Sequence, residues 1–169
     1  MNVPVVSVVA KSGTGKTTLL IKLIAGLKAR GYRVGALKHD AHRFEMDHEG
    51  KDSWRMTQAG AATTVITSPA KIAMIKMNRD EEEPPLEETI QKLFADVDIV
   101  LTEGFKKSAM PKIEVHRTSR SERLLCRGEE PDPTLIAVAS DAGLQLDVPV
   151  FHLDDAGAIC DFIEERFLR

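Results

Sequence analysis

No run of apolar residues in this 169-residue chain is long enough to span a bilayer. Positive charge is not in surplus either. The 23 Lys and Arg stand against 26 Asp and Glu, a net charge of −3, whereas a sequence-independent nucleic-acid binder needs a basic excess. The apolar opening Val3–Ala10 runs into Lys11 and glycines instead of a small-residue cleavage site, so no secretory signal is expected. The chain has only two cysteines. Cys126 and Cys160 lack metal-ligand spacing and fit a reducing cytosol, with a single bridge left open. Internal repeats and low-complexity tracts are missing as well. These absences lead to the expectation of a cytoplasmic protein that engages neither nucleic acid nor membrane.

What is present suits an α/β domain. Hydrophobic residues make up 43% of the chain, enough to fill a core, and 29% charged residues keep the surface hydrated. The length fits a single domain over 1–169. Val5, Val6, Val8 and Val9 form a β-branched run typical of a buried parallel strand. Leu19, Leu20, Leu23, Ile24 and Leu27 recur at helical spacing, Gly31 caps them, and Val34–Lys38 is the next strand. This is a right-handed βαβ unit. Asp52–Ala59 is expected as a short helix, and Thr63–Thr67 with Ile72–Met77 as an antiparallel hairpin. Pro84 and Pro85 open a helix over Leu86–Phe94. Ile99–Thr102, Ile113–Val115, Leu135–Ala139 and Val150–Leu153 are strands, and Ala156, Ile159, Ile163 and Phe167 mark a closing amphipathic helix. The alternation predicts a nucleotide-binding three-layer fold of the P-loop NTPase type, with helices on both faces of a mainly parallel sheet made mixed by the hairpin. Residues 118–133, charged and containing two prolines, are expected to be a mobile arm.

The strongest chemical signal is Ala10-Lys11-Ser12-Gly13-Thr14-Gly15-Lys16-Thr17-Thr18, a phosphate-binding loop in which Ala10 takes the place of the first glycine. Gly13 and Gly15 permit the tight turn that aims successive N–H groups at one phosphate. The following helix directs its positive end at the same point. Lys16 is expected to reach the β- and γ-phosphates, and the Thr17 hydroxyl to ligate Mg²⁺. A second motif closes the strand Ile99–Thr102 with Glu103 and Gly104, the placement expected for a carboxylate of the Mg²⁺ shell and a glycine facing the γ-phosphate. Asp98 opens that strand and belongs at the far end of the sheet. Lys38, His39 and Asp40 follow the neighbouring strand, and Lys38, Asp40 and Glu103 are the candidates for meeting the γ-phosphate, its water or the metal. The other reading of Lys38 and Asp40 is a plain polar loop. His42, Glu45, Asp47, His48 and Glu49 have no zinc spacing and are expected to be solvated.

Taken in order, Lys11–Thr18, Lys38-His39-Asp40, Asp52-Ser53 with Arg55, Ala59-Gly60-Ala61, Thr102-Glu103-Gly104-Phe105-Lys106 and Pro111-Lys112-Ile113-Glu114-Val115 resemble the MobB family, adaptors of molybdopterin-guanine dinucleotide biosynthesis. The loop alone is generic; the segments 103–106 and 111–115 are far more specific. The resemblance implies a homodimeric GTP-binding protein with slow GTPase activity that assists the molybdopterin guanylyltransferase and related molybdenum cofactor enzymes. It implies GTP and Mg²⁺ as cofactors, and Lys106 and Lys112 as candidate anion contacts. Lys11 resembles the additional lysine of dimeric nucleotide-binding proteins that reaches a partner's phosphates; the other reading is a solvated charge. The Asn-Lys-x-Asp guanine signature is missing. Asp141, after Ser140 at a strand end, is the candidate to accept guanine N1–H and N2–H₂, with a turn former as the plainer reading. Two other classes stay open. A small-molecule kinase using ATP or GTP would need a lid, for which Arg120, Arg123 and Arg127 are available. A metal-delivery GTPase of the nickel type rests only on His39, His42 and His48.

Overall fold

In the computed structural model, which describes residues 3–40, 44–79 and 82–169, the elements follow the chain closely. The first are β1 (Val5–Val9), α1 (Lys16–Ala29), β2 (Val34–Lys38) and α2 (Asp52–Gln58). Next come β3 (Thr63–Thr67), β4 (Ile72–Lys76), α3 (Leu86–Leu93) and β5 (Ile99–Glu103). The last are β6 (Lys112–His116), β7 (Leu135–Ser140), β8 (Val150–His152) and α4 (Ala156–Phe167). The chain divides into two compact units: Met1–His39 with Thr89–Arg169, and Asp40–Glu88.

The first unit is built on a six-stranded sheet of order β2-β5-β1-β6-β7-β8. Every pairing in it is parallel. The β-branched strands are buried on both faces, as a parallel sheet covered on each side requires. One face packs on α1 and α4, where Leu19, Leu23 and Leu27 meet Ile159 and Ile163 over Val6, Val8, Ile99 and Leu101. Side chains alternate along a strand, so Val100 points to the opposite face. There a Cβ added to Gly35 would lie 2.5 Å from the ring of Phe94, which follows α3, and 3.3 Å from Val100. Only glycine lets that ring lie so close to the sheet. The rest of this second face is covered by irregular chain, with Cys126, Leu124 and Leu144 packed on Val9 and Val138.

Two expectations change here. The hairpin does form, with Thr63 opposite Lys76 and Thr67 opposite Ile72. It is a separate two-stranded sheet in the second unit, however, so the main sheet is purely parallel and not mixed. Thr64 is the hairpin's one buried residue, and Val65, Ile66, Ile72 and Met74 are exposed. Such strands have no doubly buried face with which to enter a parallel core. The 118–133 segment, expected as a mobile arm, is irregular but tied down. The buried Glu114 carboxylate accepts from the N–H groups of Leu125 and Cys126. Arg127 grips both Asp147 oxygens at 2.8 and 3.0 Å and donates to the Cys126 and Asp132 carbonyls. Arg127 and Asp132 are engaged within the fold, whereas Arg120, Glu122, Arg123, Glu129 and Glu130 are exposed. Cys126 and Cys160 are both free and buried. Burial, followed by the nearby Glu114 charge, pushes the Cys126 thiol up to about 12.

Candidate functional site

The carboxyl ends of β1 and β5 lie side by side, with Val8 in register with Glu103, and the site is built there. β1 runs into Ala10, which is fully buried in the core. Its methyl group fills core space, which accounts for an alanine where the loop pattern has glycine. Gly13 and Gly15 then take φ of 73° and 97°, values that L side chains rarely adopt. The Thr14 hydroxyl donates to the Lys11 carbonyl at 2.9 Å, closing the loop on itself. α1 starts on Gly15, which has no capping side chain, and its first turn contains no carboxylate. The leading N–H groups of α1 are therefore presented without a local side-chain cap, at the positive end of a 14-residue helix.

Opposite this turn, the Thr17 hydroxyl donates to Glu103 Oε2 at 2.6 Å. A hydroxyl and a carboxylate are hard oxygen donors, the set that Mg²⁺ prefers beside phosphate oxygens. Lys38 stands in register with Glu103 on β2, and the His39 amide donates to the Glu103 carbonyl at 3.0 Å. The chain then turns sharply. Gly104 and Phe105 have φ of 98° and 55°, and a Cβ on Gly104 would lie 3.3 Å from that of His39. A bulky residue in the left-handed region is uncommon and is usually held there by its surroundings. The Phe105 ring packs against the His39 ring, with centroids 5.0 Å apart.

A third strand end completes the site. Past β6 the amides of Arg120 and Ser121 both donate to the Arg117 carbonyl, making a tight turn. Arg117 Nε donates to the Thr14 carbonyl at 2.9 Å. Lys11 Nζ donates to the Ser121 hydroxyl, and buried His116 bonds Ser121 O through Nε2 at 2.9 Å and Ser140 Oγ through Nδ1 at 3.1 Å. The Thr118 amide donates to Asp141 Oδ1 at 2.9 Å, which holds that carboxyl below its usual range, with the Arg117 charge adding to the effect.

The structure thus gathers Lys11, Ser12, Gly13, Thr14, Gly15, Lys16, Thr17 and Thr18 with Glu103, Gly104 and Lys38. Asp141 joins them through the turn after β6. Asp40 is the first residue of the second unit. Asp98, at the far end of β5, accepts from the Arg33 amide at 2.6 Å, a structural tie. Lys112 is corrected outright. It is 1% exposed, and its ammonium donates to Ser108 O and Thr134 Oγ1 and pairs with Asp132 at 3.1 Å, so it is not an anion contact. Lys106 is exposed. Of the suggested lid residues, Arg127 is bound to Asp147. Among the described residues no group of three His, Cys, Asp or Glu is placed to hold a metal ion; His42 lies outside them. Sequence reasoning missed Arg117 and His116. Their only signal was a cation and an imidazole directly at the end of a buried strand.

Known proteins share this fold. The family model MobB, molybdopterin guanine dinucleotide synthesis protein B, matches residues 5–141. A molybdopterin-guanine dinucleotide biosynthesis adapter protein of Escherichia coli (strain K12) is 40% identical over 167 residues, covering 96% of this chain and 93% of the relative. That of Haemophilus influenzae is 37% identical over 163 residues, covering 96% and 88%. Among solved structures, a molybdopterin-guanine biosynthesis protein B superposes with a TM-score of 0.73 at 29% identity, covering 95% of this chain and 98% of the other. Bacillus subtilis MobB also superposes with a TM-score of 0.73, at 26% identity and 97% and 98% coverage.

Proposed function

We propose a function from one premise: this chain belongs to the MobB family of molybdopterin-guanine dinucleotide biosynthesis. It is an adaptor of molybdenum cofactor assembly, and its own chemistry is to bind GTP with Mg²⁺ and hydrolyse it slowly. The observation that carries this reading is the pairing of Thr17 with Glu103 at 2.6 Å beside the uncapped start of α1. The N–H groups of the Ser12–Thr18 stretch would surround the phosphate tail, and Lys16 would reach its β and γ oxygens. Thr17 and Glu103 would hold Mg²⁺, which supplies charge neutralisation between those oxygens. Asp141 is the carboxylate assigned to the guanine edge. Gly104 would face the γ-phosphate, and Lys38 and Glu103 are the groups assigned to its water.

Slow turnover follows from the same inventory. Fast hydrolysis needs a firmly oriented water and an additional cation on the transition state, and a chain acting as an adaptor has no need of speed. Its partners would be the molybdopterin guanylyltransferase, related cofactor enzymes and a second copy of itself. Exposed Val65, Ile66, Ile72 and Met74 on the hairpin support an association surface. Among the described residues no helix is long and apolar enough to cross a membrane.

Two measurements test this. GTP with Mg²⁺ is expected to raise the melting temperature more than ATP does, because a ligand at a hundred times its Kd stabilises by about 2.7 kcal/mol. Phosphate release is expected to be slow and independent of any added metabolite. Rapid transfer of the γ-phosphate to a small acceptor would replace the adaptor with a kinase. Glu103→Gln keeps the hydrogen-bonding shape but removes the charge, so turnover and its Mg²⁺ dependence are expected to fall more than GTP affinity. An equal fall in affinity would make Glu103 a binding residue only.

A further inference from the structure

We propose that the turn after β6, residues 117–121, is an intrachain clasp on the nucleotide site, in which Arg117 positions the phosphate loop and Arg120 supplies a guanidinium to the polyphosphate of the bound nucleotide. This rests on the nucleotide reading of that loop. The geometry is specific. Arg117 Nε bonds the carbonyl of Thr14, a residue 2% exposed and wedged between the two left-handed glycines. A Cβ on Gly15 would lie 3.7 Å from Arg117 Nη2, and one on Gly13 would lie 3.6 Å from Arg120 Cζ. Both guanidinium groups therefore lie beside the loop, where a side chain on either glycine would meet them, and Arg117 touches it directly through the Thr14 carbonyl.

The turn is fixed from two further directions. Lys11 Nζ bonds Ser121 Oγ, and His116 Nε2 bonds the Ser121 carbonyl. Lys11 thereby ties the turn to the loop within the chain. Arg117 and Arg120 are three residues apart across a tight turn and come to the same side. With Lys11 and Lys16 they place four cations around one loop. Arg120 is exposed and has the reach to follow a ligand, whereas half-buried Arg117 is committed to the Thr14 carbonyl. Hence Arg117 is a positioning residue and Arg120 a contact residue. The planar fork of a guanidinium suits phosphate oxygens, and a contact made equally to GTP and GDP strengthens binding without adding a cation to the transition state of hydrolysis.

The test measures GTP, GDP and guanosine binding by the full chain and by Arg117→Ala, Arg117→Lys, Arg120→Ala and Lys16→Ala, with ligand-free melting temperatures alongside. Arg120→Ala is expected to weaken GTP and GDP by about tenfold, the size of a charge-assisted hydrogen bond, and to leave guanosine within twofold. Arg117→Ala is expected to weaken GTP by about tenfold, with Arg117→Lys recovering part of the loss because an ammonium also donates to a carbonyl. GTP affinity unchanged in Arg117→Ala or Arg120→Ala overturns the clasp. So does an Arg117→Ala protein that melts lower yet binds GTP normally, and so does guanosine weakening as much as GTP in Arg120→Ala. Should the native chain and Lys16→Ala both fail to bind GTP, the nucleotide reading itself has failed, a result distinct from loss of the clasp.

Discussion

Lys16→Ala is expected to lower GTP affinity by about a hundredfold or more while leaving the ligand-free melting temperature nearly unchanged. Lys16 opens α1 at the point where the chain leaves the left-handed Gly15. The helix is anchored further along, by Leu19, Leu20, Leu23 and Leu27, all buried. Truncating Lys16 therefore removes no core contact. What it removes are the hydrogen bonds of one ammonium to phosphate oxygens, each worth about 1.5–3 kcal/mol when charge-assisted. Two such bonds come to about 3–6 kcal/mol, and every 1.4 kcal/mol is a factor of ten. Calorimetric titration with GTP and Mg²⁺, beside a thermal melt of the free protein, separates the two effects. The same variant should also lose its heat protection by GTP, since that protection scales with occupancy. Unchanged affinity would mean that the phosphate tail lies elsewhere. A large drop in the ligand-free melting temperature would mean that Lys16 supports the fold.

The loop and its strand were legible because their signals are local. Four valines, two glycines and a leucine repeat fix β1, the turn and α1 within thirty residues, and each side chain acts where its neighbours put it. Glu103 was legible for the same reason: a carboxylate at the end of an apolar run has one geometric meaning when the run pairs beside the loop. The hairpin shows where local information ends. Thr63–Thr67 and Ile72–Lys76 look like strands and are strands, but alternation does not say which sheet a strand joins. The β6 segment misled in the opposite direction. Lys112, Glu114 and His116 alternate with Ile113 and Val115, a pattern usual for a strand with one face in water. All five are buried. Their polar ends meet groups supplied from far along the chain, among them Thr134, Asp132, the amides of Leu125 and Cys126, and Ser140. A short-range pattern does not encode those partners. Arg117 was hidden likewise, because its bond depends on a turn that folds back over a loop a hundred residues earlier.

Lys112→Ala is expected to cost about 3–5 kcal/mol of stability, the range for removing one member of a buried ion pair, and to leave GTP affinity of the folded protein unchanged. Lys112 is 1% exposed while Asp132 keeps 25% of its side-chain surface, so the carboxylate left behind is only partly rehydrated. The truncation also strands the Ser108 carbonyl and leaves a cavity under β6. Acid should report on the same pair. Burial pushes the Asp132 carboxyl up, but the hydroxyl and amide of Thr134 together with Lys112 outweigh it, and the net position is below the ordinary 3.8. A carboxyl lowered on folding contributes stability that is fully present above its unfolded value and is lost as pH falls through the folded one. The stability difference between the native chain and Lys112→Ala is therefore expected to be constant near neutrality and to narrow below about pH 4. Urea melts of both proteins at a series of pH values measure it, and an Asp132→Asn variant should show the narrowed difference already at neutral pH. If Lys112→Ala instead melts like the native chain and binds GTP more weakly, the ammonium reaches the anion after all, and the closed set of contacts around it is not its working state.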